Sequence, residues 1–342
     1  MEIPVTILAM RLRFILISFG PIALTAAAFG QSLGTANQFN AFIFGNASVN
    51  GGGESEGAIA VGGNFTASNN YNVLTKNAPA SIGSLNDIGL YVGGNATFSN
   101  GGQLNSGGNG YVGGNFSTNN PFDLNGGGGL SYGGTLSGTV HGTTTNSNLI
   151  NSNIFTQQKA YSLSQAAMLD ATAANTTINM SDPNNWALNY SSAGNNKTYV
   201  VDIASSQLGG NGGNPVTLNL GGFNSTDTLI FDVTGGNTNN FGISINANGL
   251  QNRILWNFGT ETAVNINNRQ LEGSVLAADA TVNQSTVIEG NLIANDWNTQ
   301  NGPEIHSYNF KGTAPVPEPS TIAGMLIGTL GLVGLSKRRR IA

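Results

Sequence analysis

A chain of 342 residues is long enough for one large domain or two. Only 8% of it is charged, against roughly 25% in an average soluble domain, while 39% is apolar and Gly accounts for 49 residues. This profile excludes a charged disordered chain, and the absence of Cys excludes disulfides, thiolate nucleophiles and Cys-based metal sites; the body between Gln31 and Pro315, with six basic against fifteen acidic residues, has no basic stripe for nucleic acid.

The chain opens with a stretch reading MRLRFILISFGPIALTAAAFGQS, in which Arg11 and Arg13 precede an apolar run ending in small residues. This predicts a cleaved secretory signal peptide over residues 1–30, with cleavage after Gly30 on the pattern of Ala28 and Gly30. The run is short for a membrane-spanning anchor. Met10 is an alternative start, because Met1–Ala9 adds nothing that a signal requires.

One phrase then recurs: AIAVGGNF, LYVGGNAT, GYVGGNFS and, altered, LSYGGTLS. Aligned on Gly62–Gly63, Gly93–Gly94, Gly113–Gly114 and Gly133–Gly134, the copies are spaced by 31, 20 and 20 residues. Three apolar columns keep register: Ile59, Leu90, Gly110 and Leu130 with Val61, Val92, Val112 and Tyr132; Phe65, Ala96, Phe116 and Leu136; and Val73, Leu104 and Leu124. A period of two on each side of the glycines is the signature of a strand with one buried face. Self-similarity near 20 residues predicts stacked coils rather than a sandwich of hairpins, because one coil cannot bury its apolar face alone. Gly62, Gly63, Asn64, Gly93, Gly94, Asn95, Gly113, Gly114, Asn115, Gly133 and Gly134 are then corners, where Asn amides bond along the stack. The spacing of 31 implies an 11-residue insertion within Leu74–Leu85.

From about 152 to 174 the text changes to SNIFTQQKAYSLSQAAMLDATAA, free of Gly and Pro and rich in Ala. It predicts a helix along the solenoid flank, packed through Ile154, Tyr161 and Met168 with Ala160, Ala167, Ala171 and Ala174 beside them. Strand-like runs return after Lys197, and GSVLA (Gly273–Ala277) and GNLIA (Gly290–Ala294) echo each other seventeen residues apart, as later coils of the same body. The fold expected is all-β with one long helix: a β-solenoid with a flanking α-helix over residues 31–312, plus the N-terminal signal and a C-terminal apolar helix.

The chain ends VPEPSTIAGMLIGTLGLVGLSKRRR. Pro317, Glu318 and Pro319 precede an apolar segment (321–336) and the basic cluster Lys337, Arg338, Arg339 and Arg340. The run Ile322–Leu335 is about 21 Å long as a helix, short of a bilayer core near 30 Å unless its flanks extend it, and the basic cluster would stay cytoplasmic. This tail (313–342) resembles the PEP-CTERM sorting signal of Gram-negative bacteria. The resemblance implies export machinery and an exosortase-like protease as partners, transient anchoring in the membrane, and delivery to the cell surface or extracellular matrix.

NQFNAFIFGNASVNGGGESEGAIAVGGNFTAS (Asn37–Ser68) and the closing LEGSVLAADATV and TVIEGNLIA resemble the motifs of the choice-of-anchor A domain, over about Gly34 to Gly312. Its relatives include adhesin-like proteins, and its plan resembles ice-binding β-solenoids with a flanking helix. The family often carries a basic residue after Glu-Gly; here Ala58 follows Gly57.

Candidate chemistry is sparse. His141 and His306 lack ligand spacing, and neither a nucleophile elbow nor a Walker loop is present. Glu54 and Glu56 flank Ser55 and are more simply a solvated turn than an acid–base pair for sugar cleavage. GGNGGNPVT (Gly209–Thr217) is like one calcium-binding nonapeptide, but Asn214 replaces the Asp and the unit is not repeated. No cofactor or catalytic residue is expected. The leading reading is a non-catalytic surface or matrix protein, adhesive or scaffolding, with matrix polysaccharide or surfaces as partner. Ice binding is the second reading; it needs a regular Thr ladder, and only GTTTNS (Gly142–Ser147) clusters Thr, with no ladder at a spacing of 20. A carbohydrate-active enzyme is the third.

Overall fold

Ile59–Val61, Phe65–Ala67 and Tyr71–Val73 are three short strands separated by corners, and together they make one three-sided coil. The computed structural model describes residues 33–189, 196–302 and 304–314; the expected signal peptide (1–30) and the sorting tail from Pro317 onward, with its apolar segment, lie outside them. Among the described residues no helix is long and apolar enough to cross a membrane.

The apolar columns stack in parallel register. Ile59 pairs with Leu90, Gly110 with Leu90 and Leu130, Phe116 with Ala96 and Leu136, and Leu104 with Val73 and Leu124. Ile59, Leu90, Phe65, Phe116, Val73 and Leu104 are fully buried, each contributing about 1.5–3 kcal/mol relative to exposure. The insertion after Val73 folds as a hairpin, Ala80–Ile82 against Leu85–Val92, and leaves the register on either side intact.

The coils do not stack in chain order. The first described coil lies in the middle, where Ala41–Ile43 pairs with Ile59–Val61 on one side and with Leu292–Thr299 on the other. Coils through Gly129–Tyr132 and Thr143–Asn146 then build outward to one end. The helix α1 (Asn153–Asp170) carries the chain back along the flank. Thr198–Ala204 restarts the stack at the far end, and Thr228–Thr234, Ile254–Asn257, Ser274–Gln284 and Leu292–Thr299 climb back to meet the first coil. Within this half Val275 pairs with Leu292 and Ala277 with Ala294, the two GxxxA echoes lying rung on rung. An 18-residue helix is about 27 Å long, the height of between five and six rungs at about 4.8 Å. That length takes Phe155, packed 5.3 Å from Phe42 and 5.8 Å from Tyr91, to Asp170, hydrogen-bonded at 2.7 Å to Asn257.

The helix ends at Asp170 rather than 174 and packs through a different stripe from the one expected. Phe155, Gln158, Ser162, Gln165, Ala166 and Leu169 are buried, whereas Ile154, Tyr161 and Met168 are only half-buried and Ala167, Ala171 and Ala174 are not buried. Two stripes with the same seven-residue spacing run side by side, one residue apart. The contact surface selects between them: Phe155 fits the aromatic patch of Phe42 and Tyr91, and Gln158 donates to the Leu33 carbonyl (3.1 Å) and to Ser162 (3.1 Å). Lys159 adds an ion pair to Asp279 at 3.0 Å.

Candidate functional site

The three sides of the solenoid differ. The first is covered by α1, and its outward residues Phe42, Ala60 and Tyr91 are buried. The second runs through Ala47–Val49, Phe65–Ala67, Ala96–Phe98, Phe116–Thr118 and Leu136–Ser137, with the later halves of Ser274–Gln284 and Leu292–Thr299 beside them. Its outward residues form a single column in register: Asn265, Asn283, Asn298, Ser48, Thr66, Thr97, Ser117 and Ser137. A ninth rung, Asn239, adjoins Asn265 through the parallel bridge of Thr238 to Val264. Every member is exposed or half-buried, and every one is Asn, Ser or Thr. Nine rungs span about 38 Å at about 4.8 Å per rung.

The corner column beside it explains the glycines. Asn46 donates its backbone N–H to Asp296 Oδ1 (2.7 Å); Asn64 to Asn46 Oδ1 (2.9 Å); Asn95 to Asn64 Oδ1 (2.9 Å); Asn115 to Asn95 Oδ1 (2.8 Å); and Thr135 to Asn115 Oδ1 (2.8 Å). Each amide therefore satisfies the backbone of the next coil, which the strand ladder leaves open at the corner. A Cβ on Gly94 would meet Asn64 Oδ1 at 2.5 Å, and one on Gly93 would meet the Gly62 carbonyl at 2.2 Å. Gly113 and Gly133 face the same contact at 2.3 Å. None of these corner glycines has a positive φ; close approach of the coil below excludes a side chain.

Among the described residues the structure shows no regular Thr ladder; it shows a mixed Ser/Thr ladder absent from the sequence-based expectations. It is written as NASVN (46–50), NFTAS (64–68), NATFS (95–99), NFSTN (115–119) and TLSGT (135–139), directly after the corner glycines. Alignment on the apolar residues draws attention to the inward positions and passes over the polar ones between them. The GTTTNS cluster instead forms the strand Thr143–Asn146 of the first side.

At the C-terminal half the second side deepens into a groove of about 670 Å³, whose ten lining residues are all Asn, Gln, Ser or Thr. Its floor is locked: Gln284 accepts from Trp297 Nε1 at 2.8 Å and donates to the Thr286 and Glu304 carbonyls, while Thr299 Oγ1 accepts from the Asn50 N–H at 3.0 Å. Asn283 donates to Asn265 Oδ1 (2.8 Å) and accepts from Asn298 Nδ2 (3.3 Å). Buried Glu261 accepts from the Thr238 N–H (2.8 Å) and Oγ1 (2.9 Å) and so holds the Asn239 rung; burial, partly offset by these bonds, pushes its pKa up to about 7.

The third side carries the remaining candidates. His141 is exposed and pairs with Asp123 at 2.8 Å. His306 lies where the last coil meets the first, with Nδ1 2.9 Å from Glu289, Nε2 2.9 Å from Glu304, and Glu56 at 3.8 Å. Burial alone would lower its pKa; the bond to Glu304 and the carboxylates of Glu289 and Glu56 outweigh this and hold it above the ordinary imidazole value. Glu56 is buried, ion-paired with Lys76 and bonded by the Ser307 N–H, whereas Glu54 stands half-exposed on Gly53–Ser55, so the two acids do not share a site. In Gly209–Thr217, Asn211 and Asn214 exchange backbone hydrogen bonds in a tight turn. Among the described residues no group of three or more His, Cys, Asp or Glu side chains is placed to hold a metal ion.

Residues 32–307 match the family described as "Putative Ice-binding-like adhesive domain", and residues 315–340 match the PEP-CTERM protein-sorting motif. No curated protein matches the sequence. Among solved structures, an ice-binding protein from the Antarctic ascomycete Antarctomyces psychrotrophicus is similar, at 15% identity over 81% of this chain and 98% of that one, with a TM-score of 0.33. The sorting motif implies export to the bacterial cell surface and processing by exosortase. With the match extending over most of its length, the chain belongs to the ice-binding-like adhesive domain family and carries a PEP-CTERM motif behind that domain.

Proposed function

We propose that this is an exported, non-catalytic surface or matrix protein that adheres through the second side of its solenoid. The observation carrying the reading is the nine-rung column of Asn, Ser and Thr, uncharged and unburied, on a side that the helix leaves open. Polar groups carried at regular spacing by a rigid core bind an extended partner without the cost of ordering the backbone beneath them. In this reading residues 1–30 are a signal peptide, 31–312 a choice-of-anchor A-like adhesive domain, and 313–342 a sorting tail. The apolar segment 321–336 anchors the protein transiently before exosortase cuts near Pro317–Glu318–Pro319. The corner residues serve the scaffold.

Attachment tests the proposal. Bacteria displaying the full-length protein are expected to adhere to matrix-coated surfaces more than cells lacking it. A variant carrying Lys at Ser48, Thr66 and Thr97 is expected to lose that gain while reaching the surface in equal amount. Equal adhesion by the variant would remove the second side from the mechanism.

The Ser48, Thr66, Thr97, Ser117 and Ser137 ladder favours ice binding as a second reading, since hydroxyls at strand spacing present a regular array to ordered water. Thermal hysteresis by the full-length protein that disappears in Thr97→Tyr would support it, and no hysteresis or ice shaping at high concentration would end it. The Glu54–Glu56 pair does not support the carbohydrate-active reading, because Glu56 is committed to Lys76, Ser307 and His306.

A further inference from the structure

We infer that the amide-lined groove on the C-terminal half of the second side is a binding subsite for a neutral polysaccharide chain. The inference rests on the adhesive reading and assigns it a ligand class and a place. Four features carry it. The ten lining residues contain no charge, so an ionic ligand would lose hydration without gaining a counter-charge. The body around the groove is net acidic, which disfavours polyanions further.

A primary amide offers two donors and one acceptor side by side, and a sugar hydroxyl is both donor and acceptor, so neighbouring hydroxyls match neighbouring amides. The Asn column is ordered for this. Asn283 bridges Asn265 and Asn298, which leaves the Asn265 amide N–H groups as donors at one end and the Asn298 Oδ1 as acceptor at the other. Asn239 and Gln300 extend these groups along and across the groove.

The groove is also preorganised. Gln284 and Thr299 form its floor with their polar atoms already bonded to Trp297 and Asn50, and Glu261 fixes the Asn239 wall. Side chains held in place lose little entropy when a ligand arrives. Finally, the lining spans four rungs from Asn239 to Asn298, about 14 Å at about 4.8 Å per rung, and excludes Ser48, Thr66, Thr97, Ser117 and Ser137 of the same side. The lining has no aromatic platform, so one site binds weakly and display of many copies on a surface supplies avidity.

The test compares full-length protein with two groove variants, Asn283→Leu and Asn239→Asp, and with Thr145→Val, at an exposed residue on the first side and outside the proposed binding face. Asn239 is exposed at the rim, so its variant reads the groove even if Asn283→Leu disturbs folding. The probes are a neutral glucan, a neutral mannan and the anionic polysaccharide alginate. Wild type is expected to be retained on at least one neutral polymer and not on alginate. Both groove variants are expected to weaken that retention by about tenfold or more, and Thr145→Val by less than about twofold. Unchanged retention in both groove variants, equal loss in Thr145→Val, a preference for alginate, or binding to ice with none to glycan each overturns the proposal. If cells displaying the protein still adhere while none of the three polymers is bound, the subsite falls and the adhesive reading stands; loss of adhesion as well brings down both.

Discussion

Ser48 and Asn298 stand side by side on adjacent rungs of one polar column, although one lies in the first coil of the domain and the other in the last. The seam between them is closed by buried side chains. Asn291 donates to the Phe39 carbonyl (2.7 Å) and accepts from the Phe310 N–H (2.7 Å), and Asn40 donates to the Ile305 carbonyl (2.9 Å). Tyr71 and Trp297, with ring centroids 6.4 Å apart, carry the aromatic core across it. The stack is thus continuous in space where the chain is not.

Replacing the Asn291 side chain strands the Phe39 carbonyl, the Phe310 N–H and the Ser274 hydroxyl at once, each costing about 1–3 kcal/mol when left unpaired. Asn291→Ala is therefore expected to lower stability by about 3 kcal/mol or more in urea unfolding. Asn298→Ala, on an exposed residue of the strand that follows, is expected to cost less than about 1 kcal/mol. Similar midpoints for the two variants would show that the seam does not hold the halves together.

Gly94→Ala brings a methyl group against Asn64 Oδ1 and the Gly63 carbonyl, which lie 2.5 and 2.8 Å from the added Cβ. The expected loss is about 1–3 kcal/mol, in the range of overpacking. Gly52→Ala provides the contrast, since its nearest neighbour lies at 3.5 Å and its φ is not positive; it should be neutral or slightly stabilising. Thermal unfolding of both variants measures the difference.

His306 makes the seam sensitive to pH. Its folded pKa is raised, so its contribution is fully present below the ordinary value near 6.5 and is lost as pH rises through the folded value. Glu56, with a lowered pKa, acts oppositely: its contribution is present above the ordinary 4.5 and is lost as pH falls through the folded value. Asp232 and Glu261, both raised to about 7 chiefly by burial, also weaken the fold as pH climbs from their ordinary range toward 7. They remain in His306→Gln, so the difference between wild type and variant isolates the histidine. That difference is expected to shrink as pH rises above about 6.5; a gap that stays constant from there upward would contradict the assignment.

Phe155→Ala removes the buried helix anchor between Phe42 and Tyr91 and is expected to cost about 3 kcal/mol. Met168→Ala, on the stripe that sequence periodicity favours, should cost about 1 kcal/mol or less because that side chain stays half-exposed. The reverse ranking, measured by chemical denaturation, would mean that α1 packs through the other stripe.

The coils were legible because inward residues repeat in register, and burial allows little else at those positions: Ile59, Leu90 and Phe116 were visible before any coordinate. The polar ladder was written in the same phrases, one residue out of step with the apolar columns. It was harder to read because Asn, Ser and Thr substitute freely for one another at an exposed rung. The helix was legible as a helix, from its Ala content and lack of Gly, but not as a surface. Gln158 and Ser162 are buried there because Gln158 reaches both the Leu33 carbonyl and the Ser162 hydroxyl, whereas polarity by itself points outward.

By itself, the sequence determined that this protein is made of coils with glycine corners, a helix and a sorting tail, because short-range periodicity is set by strand and helix geometry. Only the tertiary structure decided that the last coil stacks on the first. It also decided that Glu261 and Gln284 shape a groove beneath the Asn column, and that the Ser/Thr and Asn halves form one face. Those relations depend on pairing between residues far apart in the chain, and nothing local in the sequence specifies which distant rung a strand will join.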